Sequence, residues 1–290
     1  VIDSGAPGEI GCAPMKLRTA LLSLSLSACA SFGTFVGQEG GEVQFATDPE
    51  ENMKKGDEAM NAKNFAEAQS YFEFVKTKYP YLELSKTAEL RLADADFERD
   101  RFVEARDRYQ NFGRLHPTHP RVDYAAFRAA LTHYKEIPSD FFLLPPASEK
   151  DQVEVRNAMS AMTDFVRSYP GSEHQAEAKK VVDEVRLRLA EHEMYVADFY
   201  ARRDRWPAVV TRLNVVAKDY SGIGLEERAS FGLYDAYLKL KDPSKAKDAL
   251  QKYADKFPNE PGAKKALQLI AGLPSTPAEL PPRGGSDAGT

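Results

Sequence analysis

A short segment that ends in a ring side chain, followed by proline in four copies and by serine in one, recurs along this chain. The five copies close at Pro80, Pro117, Pro170, Ser221 and Pro258. Every copy carries an apolar side chain eight positions before its closing residue. Four copies carry alanine twelve positions before it, and four carry a bulky or ring residue fifteen before it. The residues eight positions before the close are Phe72, Tyr109, Met162, Leu213 and Leu250. The alanines twelve before it are Ala68, Ala105, Ala158 and Ala246, and the bulky or ring residues fifteen before it are Phe65, Phe102, Trp206 and Pro243. Five copies in one phase indicate a stacked array of similar units.

The pattern resembles the tetratricopeptide repeat (TPR), a helix-turn-helix unit. The first copy matches best, with Gly56, Ala59, Ala68, Phe72 and Pro80 at the characteristic positions. Small residues allow the two helices of a hairpin to approach closely. The closing proline ends the second helix because it lacks an N–H and restricts the residue before it. The fold is therefore predicted to be all-α, a TPR-like solenoid of helical hairpins with about five repeats.

The composition agrees with this fold class, since alanine, leucine, lysine, glutamate and arginine dominate and alternating β-type runs are scarce. The solenoid is expected to span residues 48–271, with a last helix that caps its exposed end. The predicted helices cover residues 48–61, 65–78, 82–99, 102–114, 120–136, 150–168, 172–201, 205–219, 225–240, 243–256 and 261–271.

The N-terminal region has the features of a secretory signal. Residues 15–28 place a short positive region before a short apolar one, and residues 1–14 are then an upstream extension before Met15. The signal ends in LSAC, which resembles the lipobox of bacterial lipoproteins, so Cys29 is the expected lipid attachment site. Ala30 follows, where aspartate would suggest inner-membrane retention in many Gram-negative bacteria, and this points to the outer membrane. The alternative is an ordinary cleaved signal with a chance cysteine.

Two further segments flank the solenoid. Residues 29–47 are aperiodic and contain several glycines, and they are expected to form a flexible tether. Residues 272–290 are rich in proline and glycine and are expected to be a disordered tail. Because Cys12 and Cys29 are the only cysteines, the folded region has no disulfide, cysteine nucleophile or thiolate zinc site.

The repeat spacing is irregular in two places. An insertion at residues 137–151 separates the two helices of the third repeat and contains the apolar run Phe141, Phe142, Leu143 and Leu144. This run is a candidate interaction loop, although a loop folded back over the groove is slightly favoured. One long charged helix follows at residues 172–201, and its charges are expected to form a solvated face.

The stretch RLHPTHPRVDY at residues 114–124 contains two histidines and an aspartate, which suggests either a metal or catalytic cluster or a turn. The repeat favours the turn, because His116-Pro117 is at the repeat position equivalent to Tyr79-Pro80. It is therefore predicted to be a repeat-closing turn, with His119-Pro120 starting the next helix. The remaining histidines lack the spacing of a zinc helix, so no metal site or cofactor is expected.

The sequence gives no support for catalysis. It contains none of the common hydrolase, nucleotide-binding or zinc-protease motifs, and its carboxylates are expected to be spread along solvated helices. The net charge of −5 gives no reason to expect nucleic-acid binding. Stacked hairpins instead leave a groove that suits an extended or helical peptide, and Tyr79 and Tyr81 are candidates to line it.

Three stretches carry a more specific resemblance: KYPYLELSKTAELRLADADF, RLHPTHPRVDYAAFRAAL and EMYVADFYARRDRWPAVVTRLNVVAKDY. Together with the lipobox and the repeat spacings, they resemble the BamD family (also called YfiO or ComL) of outer-membrane β-barrel assembly lipoproteins. The resemblance covers about residues 45–260. It implies a periplasmic scaffold without enzymatic activity, anchored to the outer membrane.

The resemblance also implies partners. N-terminal repeats of that family are implicated in recognising unfolded barrel substrates, a role that would include Tyr79 and Tyr81. C-terminal repeats dock on a POTRA domain of BamA, a role that would include Tyr200, Arg203 and Trp206. Other Bam lipoproteins are expected partners, but the 137–151 loop lacks the aspartate-rich continuation expected after its phenylalanines, which leaves contacts there open.

Two alternatives differ in class from an assembly scaffold. One is another periplasmic TPR adaptor lipoprotein, for cell division or envelope export. The other is an enzyme with a divergent site, which no motif in the sequence favours.

Overall fold

The structure is a computed structural model that describes residues 43–138 and 151–273. In these two ranges the chain forms eleven α-helices and no β-strand. The helices are α1 (Pro49–Asn61), α2 (Phe65–Lys78), α3 (Glu83–Glu98), α4 (Phe102–Leu115), α5 (Val122–Lys135), α6 (Val153–Ser168), α7 (Gln175–Ala201), α8 (Trp206–Asp219), α9 (Glu226–Lys239), α10 (Pro243–Lys256) and α11 (Pro261–Ala271). The predicted all-α class is confirmed.

Consecutive helices pair into five hairpins, from α1 with α2 to α9 with α10, and α11 packs on α10 at the C-terminal end. Each helix packs mainly against the helices that precede and follow it, which is the contact pattern of a solenoid. The buried apolar side chains accordingly form several clusters that succeed one another along the chain. The prediction of a TPR-like array of about five repeats is confirmed.

The residues singled out by the repeat pattern lie in the interior. The four repeat alanines are fully buried, and the five apolar residues eight positions before the closing residues are at most 3% exposed. The bulky residues fifteen positions before the close each begin the second helix of a hairpin. The alanines and apolar residues that the repeat spacing singles out are therefore core residues of their repeats.

The turn inside a repeat has one geometry in four of the five hairpins. The residue two positions before the second helix has a left-handed backbone, with φ between 56° and 58°. These residues are Lys63, Asp100, Asp204 and Lys241. The next N–H donates to the carbonyl five positions earlier, as from Asn64 to Ala59 at 2.8 Å, which is the Schellman ending of a helix. The insertion at 137–151 replaces this turn in the third hairpin.

The turn between repeats is equally regular. The residue that follows the second helix of each hairpin has φ from −127° to −115° and ψ from 35° to 59°. These C-cap residues are Tyr79, His116, Tyr169, Tyr220 and Phe257. Four of these residues precede proline, which disfavours the helical conformation before it. The prediction that His116-Pro117 closes a repeat agrees with this geometry.

The start of the following helix differs from the prediction. α5 begins at Val122, so His119-Pro120 does not form its first turn. The N–H of Val122 instead donates to the carbonyl of His119 at 3.0 Å, which closes a tight turn through Pro120 and Arg121. The proline is therefore used to shape the connection between repeats and not to start the helix.

The long charged segment is continuous, as expected. α7 has 27 residues and buries one side, while its lysines and carboxylates are exposed or half-buried. Among the residues that the structure describes, no helix combines the length and apolar character that crossing a membrane requires.

Candidate functional site

Two surfaces contain the residues predicted to bind partners, and they lie at different edges of the array. Successive helices of a hairpin run antiparallel, so turns within repeats lie along one edge and turns between repeats along the other. Tyr79 and Tyr81 lie in the turn between the first two repeats. Arg203 lies in the turn within the fourth repeat, between Tyr200 in the last turn of α7 and Trp206 at the start of α8.

Tyr79 is held by the segment that leads into α1. Its hydroxyl donates to the carbonyl of Thr47 at 2.5 Å, and its ring packs edge-on against Phe74. Phe45 stacks parallel to Phe74 on the same surface, with ring centroids 4.3 Å apart. The last residues of the expected tether are thus packed on α2, and Tyr79 is part of that packing.

Asn52 fixes the same segment from α1. Its fully buried side-chain amide donates to the carbonyls of Ala46 and Asp48 at 2.8 and 2.7 Å, and its oxygen accepts the N–H of Ala46 at 2.9 Å. All hydrogen-bonding atoms of this amide group are satisfied by the backbone, which rigidifies residues 46–48.

Tyr81 has the opposite environment, because it is 98% exposed in the turn two residues further on. Leu82 beside it is 42% exposed. A fully exposed aromatic ring next to an exposed leucine is available to a partner without any rearrangement of the fold. Of the two predicted tyrosines, Tyr81 is therefore the one whose ring is exposed.

The turn from α7 to α8 brings its three predicted residues together in different environments. Tyr200 is half-buried, and its carbonyl accepts the N–H groups of Arg203 and Arg205, both at 3.0 Å. The exposed guanidinium of Arg203 lies 3.5 Å from the centroid of the Phe199 ring and donates to the Phe199 carbonyl at 3.1 Å. The arginine is thereby held rigidly over an aromatic face while its charge stays accessible.

Trp206 begins α8 and also lines a cleft of about 820 Å³ between α7, α8 and α9. The other walls include Phe231, Leu238 and the charged residues Arg228 and Asp235. Burial raises the pKa of Asp235, although Lys239 and Lys265 act in the opposite direction. Neither Tyr200 nor Arg203 lines this cleft, so the three predicted residues do not share one pocket.

Three carboxylates of the described residues are buried, on Asp94, Asp96 and Glu226, which corrects the expectation that all of them lie on solvated faces. Asp94 and Asp96 on α3 are only 3% and 2% exposed. Asp96 accepts hydrogen bonds from Gln69 and Arg108, both at 2.7 Å, and so links α2, α3 and α4. An ionised side chain tolerates burial when such donors surround it.

Asp94 joins three successive repeats. It accepts the hydroxyls of Tyr109 at 2.6 Å and Tyr124 at 2.7 Å, and Arg91 at 3.0 Å, while Arg91 also binds Asp57 in the first repeat. Burial first, and then the negative charge of Asp94, raise the pKa of Tyr124 to about 12. The ADAD stretch in the sequence contained these residues, but its spacing gave no sign of their burial.

A second polar cluster, also missed from the sequence, lies at the base of the insertion in the third repeat. Ligand atoms of His133, Glu136 and Glu154 lie within 4.8 Å of one another. Nη1 of Arg106 lies 2.7 Å from Glu136 and 3.1 Å from Nδ1 of His133. Because this guanidinium already faces both groups, a metal ion here would meet a like charge, and we interpret the cluster as an ion-pair network.

Comparison with known proteins shows the family to which this chain belongs. The sequence profile described as YfiO, outer membrane lipoprotein, matches residues 46–252, which include all five hairpins except the end of α10. The chain belongs to the YfiO family. The resemblance identified from the lipobox and the three sequence stretches is thereby confirmed.

Relatives of this YfiO-family chain carry a common name. "Outer membrane protein assembly factor BamD" of Neisseria gonorrhoeae is 28% identical over 247 residues, covering 84% of this chain and 92% of the relative. The protein of the same name from Caulobacter vibrioides is 26% identical over 278 residues, covering 94% and 85%. The chain therefore spans nearly the whole length of both relatives.

Among solved structures, the TPR2AB-domain:pHSP90-complex of yeast Sti1 aligns with 77% of this chain and 82% of its own at 14% identity, with a TM-score of 0.42. The repeat assignment here therefore depends on the helices and turns of this chain itself.

The remaining predicted residues lie outside the described ranges. They are the lipid attachment site Cys29, with the extension, signal and most of the tether, the loop residues Phe141, Phe142, Leu143 and Leu144, and the C-terminal tail from residue 274.

Proposed function

We propose that this YfiO-family chain is a non-catalytic lipoprotein scaffold of the outer-membrane β-barrel assembly machinery. In this proposal a lipid on Cys29 anchors it to the periplasmic face of the outer membrane. The array binds a POTRA domain of BamA, other Bam lipoproteins and unfolded barrel proteins. The observation that carries the proposal is the family match over the repeats, together with relatives named as assembly factors.

The exposed Tyr81 supports a peptide contact at the first repeats. Aromatic rings with few rotatable bonds are frequent anchors in protein interfaces, because they bury a large area at a small cost in conformational entropy. Tyr79 would act differently, by holding the packed segment of Phe45 and Thr47 beside the contact. An unfolded barrel protein would thus meet a rigid aromatic surface at this edge.

The turn from α7 to α8 supports a second contact at the opposite edge. Arg203 offers a positioned guanidinium, which suits a carboxylate of a folded partner, and Trp206 offers an indole that lines the adjacent cleft. Because the two surfaces lie at different edges, a POTRA domain and a substrate segment can bind to the array together.

A pull-down of the full chain from detergent-solubilised membranes, followed by mass spectrometry, tests this proposal. We expect BamA among the recovered proteins, and we expect Arg203→Glu with Trp206→Ala to lower its recovery at least tenfold. Arg167→Glu on α6 is the matched control, because Arg167 is also exposed. Recovery of division or export proteins without BamA would support the alternative of another periplasmic adaptor.

Substrate binding and anchoring need separate measurements. Photocrosslinking to an unfolded barrel protein should weaken with Tyr81→Ala and persist with Leu115→Ala, an exposed apolar residue next to the following inter-repeat turn. Cys29→Ser should release the protein from membranes. A membrane-bound Cys29→Ser protein, or equal crosslinking by all variants, would contradict these parts of the proposal.

A further inference from the structure

A cleft of about 410 Å³ lies between α8, α9 and α10, apart from both surfaces described above. Its floor is apolar and aromatic, formed by Leu233, Tyr237, Ala249, Tyr253 and Phe257. Its rim carries lysines from two helices, which are Lys218, Lys245, Lys252 and Lys256. Lysine-rimmed apolar clefts suit ligands that combine negative charge with an apolar group.

Three of the four lysines lack a carboxylate partner within the part of the chain that the structure describes. Lys245 pairs with Asp242 at 2.8 Å. Lys256 contacts only the hydroxyl of Ser221 and the face of the Phe257 ring, and Lys218 and Lys252 make no ion pair. Their charges are therefore available to a partner.

The acidic residues of the lining do not cancel these charges. The carboxylate of Glu226 is buried and accepts N–H groups of Gly222, Ile223 and Gly224, so it is directed at its own loop. Asp248 is exposed on the rim and is the one remaining acid of the lining. The cleft is thus lined by more lysines than free carboxylates.

The helices that form the cleft belong to a part of the chain with a net positive charge. From Trp206 to the end of α11 the sequence holds eleven lysines and arginines against eight acidic residues, although the whole chain carries −5. The end of the array that contains the cleft is therefore positive on an otherwise acidic protein. Such an asymmetry attracts an anionic partner to this end.

The shape of the cleft favours a linear partner. α8 and α10 run in the same direction, so Lys218, Lys252 and Lys256 gather where both helices end, and Lys245 lies at the other end of the floor. The distance along α10 from Lys245 to Lys256 is roughly 16 Å at the helical rise, about the length of five residues of extended chain.

We propose that this cleft binds an extended acidic peptide segment of a partner protein, with an apolar side chain on the aromatic floor and carboxylates at the lysine cluster. The inference is independent of the proposed function, because it uses residues of neither candidate surface. A phospholipid headgroup would use the lysines but leave the aromatic floor unoccupied.

Fluorescence polarisation of the full chain with a labelled Glu-Asp-Phe-Glu-Leu-Asp peptide tests the proposal. Lys218→Glu with Lys252→Glu should weaken binding roughly tenfold, since each exposed lysine–carboxylate contact contributes modestly. Lys247→Glu with Lys264→Glu is the control with equal charge change at exposed lysines outside the cleft. Replacing the acids of the peptide with Gln and Asn, or its Phe and Leu with Ala, should each weaken binding by a similar factor.

Three outcomes would overturn the inference. Equal weakening by the control variant would mean general attraction by net charge. Equal binding of the uncharged or alanine-substituted peptide would mean that lysines or floor make no specific contact. Binding to vesicles of anionic phospholipid that depends on Lys218 and Lys252, without binding to the peptide, would assign the cleft to the membrane surface instead.

Discussion

Gly56 lies against the ring of Phe72 so closely that an added Cβ would come within 2.8 Å of its Cζ atom. Both residues are buried, and Phe72 is the apolar residue eight positions before the closing proline of the first repeat. The ring therefore fills the space that the missing side chain of Gly56 leaves. This contact explains physically why a repeat hairpin pairs a small residue on one helix with a ring on the next.

Gly56→Ala should destabilise the protein even though alanine is the better helix former. The clash with a buried ring costs about 1–3 kcal/mol, which exceeds the gain of about 1 kcal/mol in helix propensity. Gly113→Ala in α4 is the control, because its Cβ would meet nothing closer than 3.9 Å and should stabilise by about 0.5–1 kcal/mol. Urea denaturation measures both changes, and equal shifts would contradict the packing argument.

Lys241→Gly should stabilise the fifth repeat. Lys241 has a φ of 58°, a conformation that costs a residue with a Cβ about 1 kcal/mol and costs glycine little. Lys247→Gly, at an exposed position inside α10, should destabilise by about 1 kcal/mol, since glycine weakens a helix interior. Opposite shifts in the thermal midpoint are expected, and a loss of stability in both variants would refute the turn geometry.

The free energy of unfolding should fall between pH 10 and 12, partly because of Tyr124. Its pKa of about 12 in the folded protein lies above the ordinary value of 10.0, so the unfolded chain releases the phenol proton first and unfolding becomes easier as pH rises. Tyr124→Phe should reduce this slope, and it should cost about 1–2 kcal/mol at pH 7 through the lost bond to Asp94. Tyr81→Phe, at an exposed position, is the control. An unchanged slope in Tyr124→Phe would argue against a buried phenol.

Glu226→Gln should destabilise the connection between α8 and α9 at neutral pH. Burial alone would raise the pKa of Glu226, but its own N–H and those of Gly222, Gly224 and Ile223 hold it below 4.5. The ionised form therefore contributes stability at neutral pH, which is lost as pH falls through the folded pKa. We expect a loss of about 1–2 kcal/mol at pH 7 that shrinks towards pH 3, measured by chemical denaturation. Glu191→Gln, exposed on α7, should change stability little, and a pH-independent loss at Glu226 would contradict this account.

Two neighbouring tyrosines of one candidate surface have different environments. The sequence predicts one role for Tyr79 and Tyr81, which are two positions apart, yet the Tyr79 hydroxyl donates to the Thr47 carbonyl and the Tyr81 ring is exposed. The difference arises because the segment of Phe45 and Thr47, more than thirty positions upstream, packs on α2 and accepts a hydrogen bond from Tyr79 through the Thr47 carbonyl. A local pattern contains no information about that distant segment.

The helices, the five hairpins and the closing turns follow from local sequence, because they depend on the spacing of small, ring and proline residues within one repeat. Which polar groups are buried and which charges are free depends on how the helices pack. The helical pattern gives Asp94 no distinguishing position, yet it lies where three repeats meet. Lys218 and Lys252 line the same cleft only because α8 and α10 run in the same direction on either side of α9. Burial and charge depend on neighbours from other repeats, and their positions are fixed only when the helices pack.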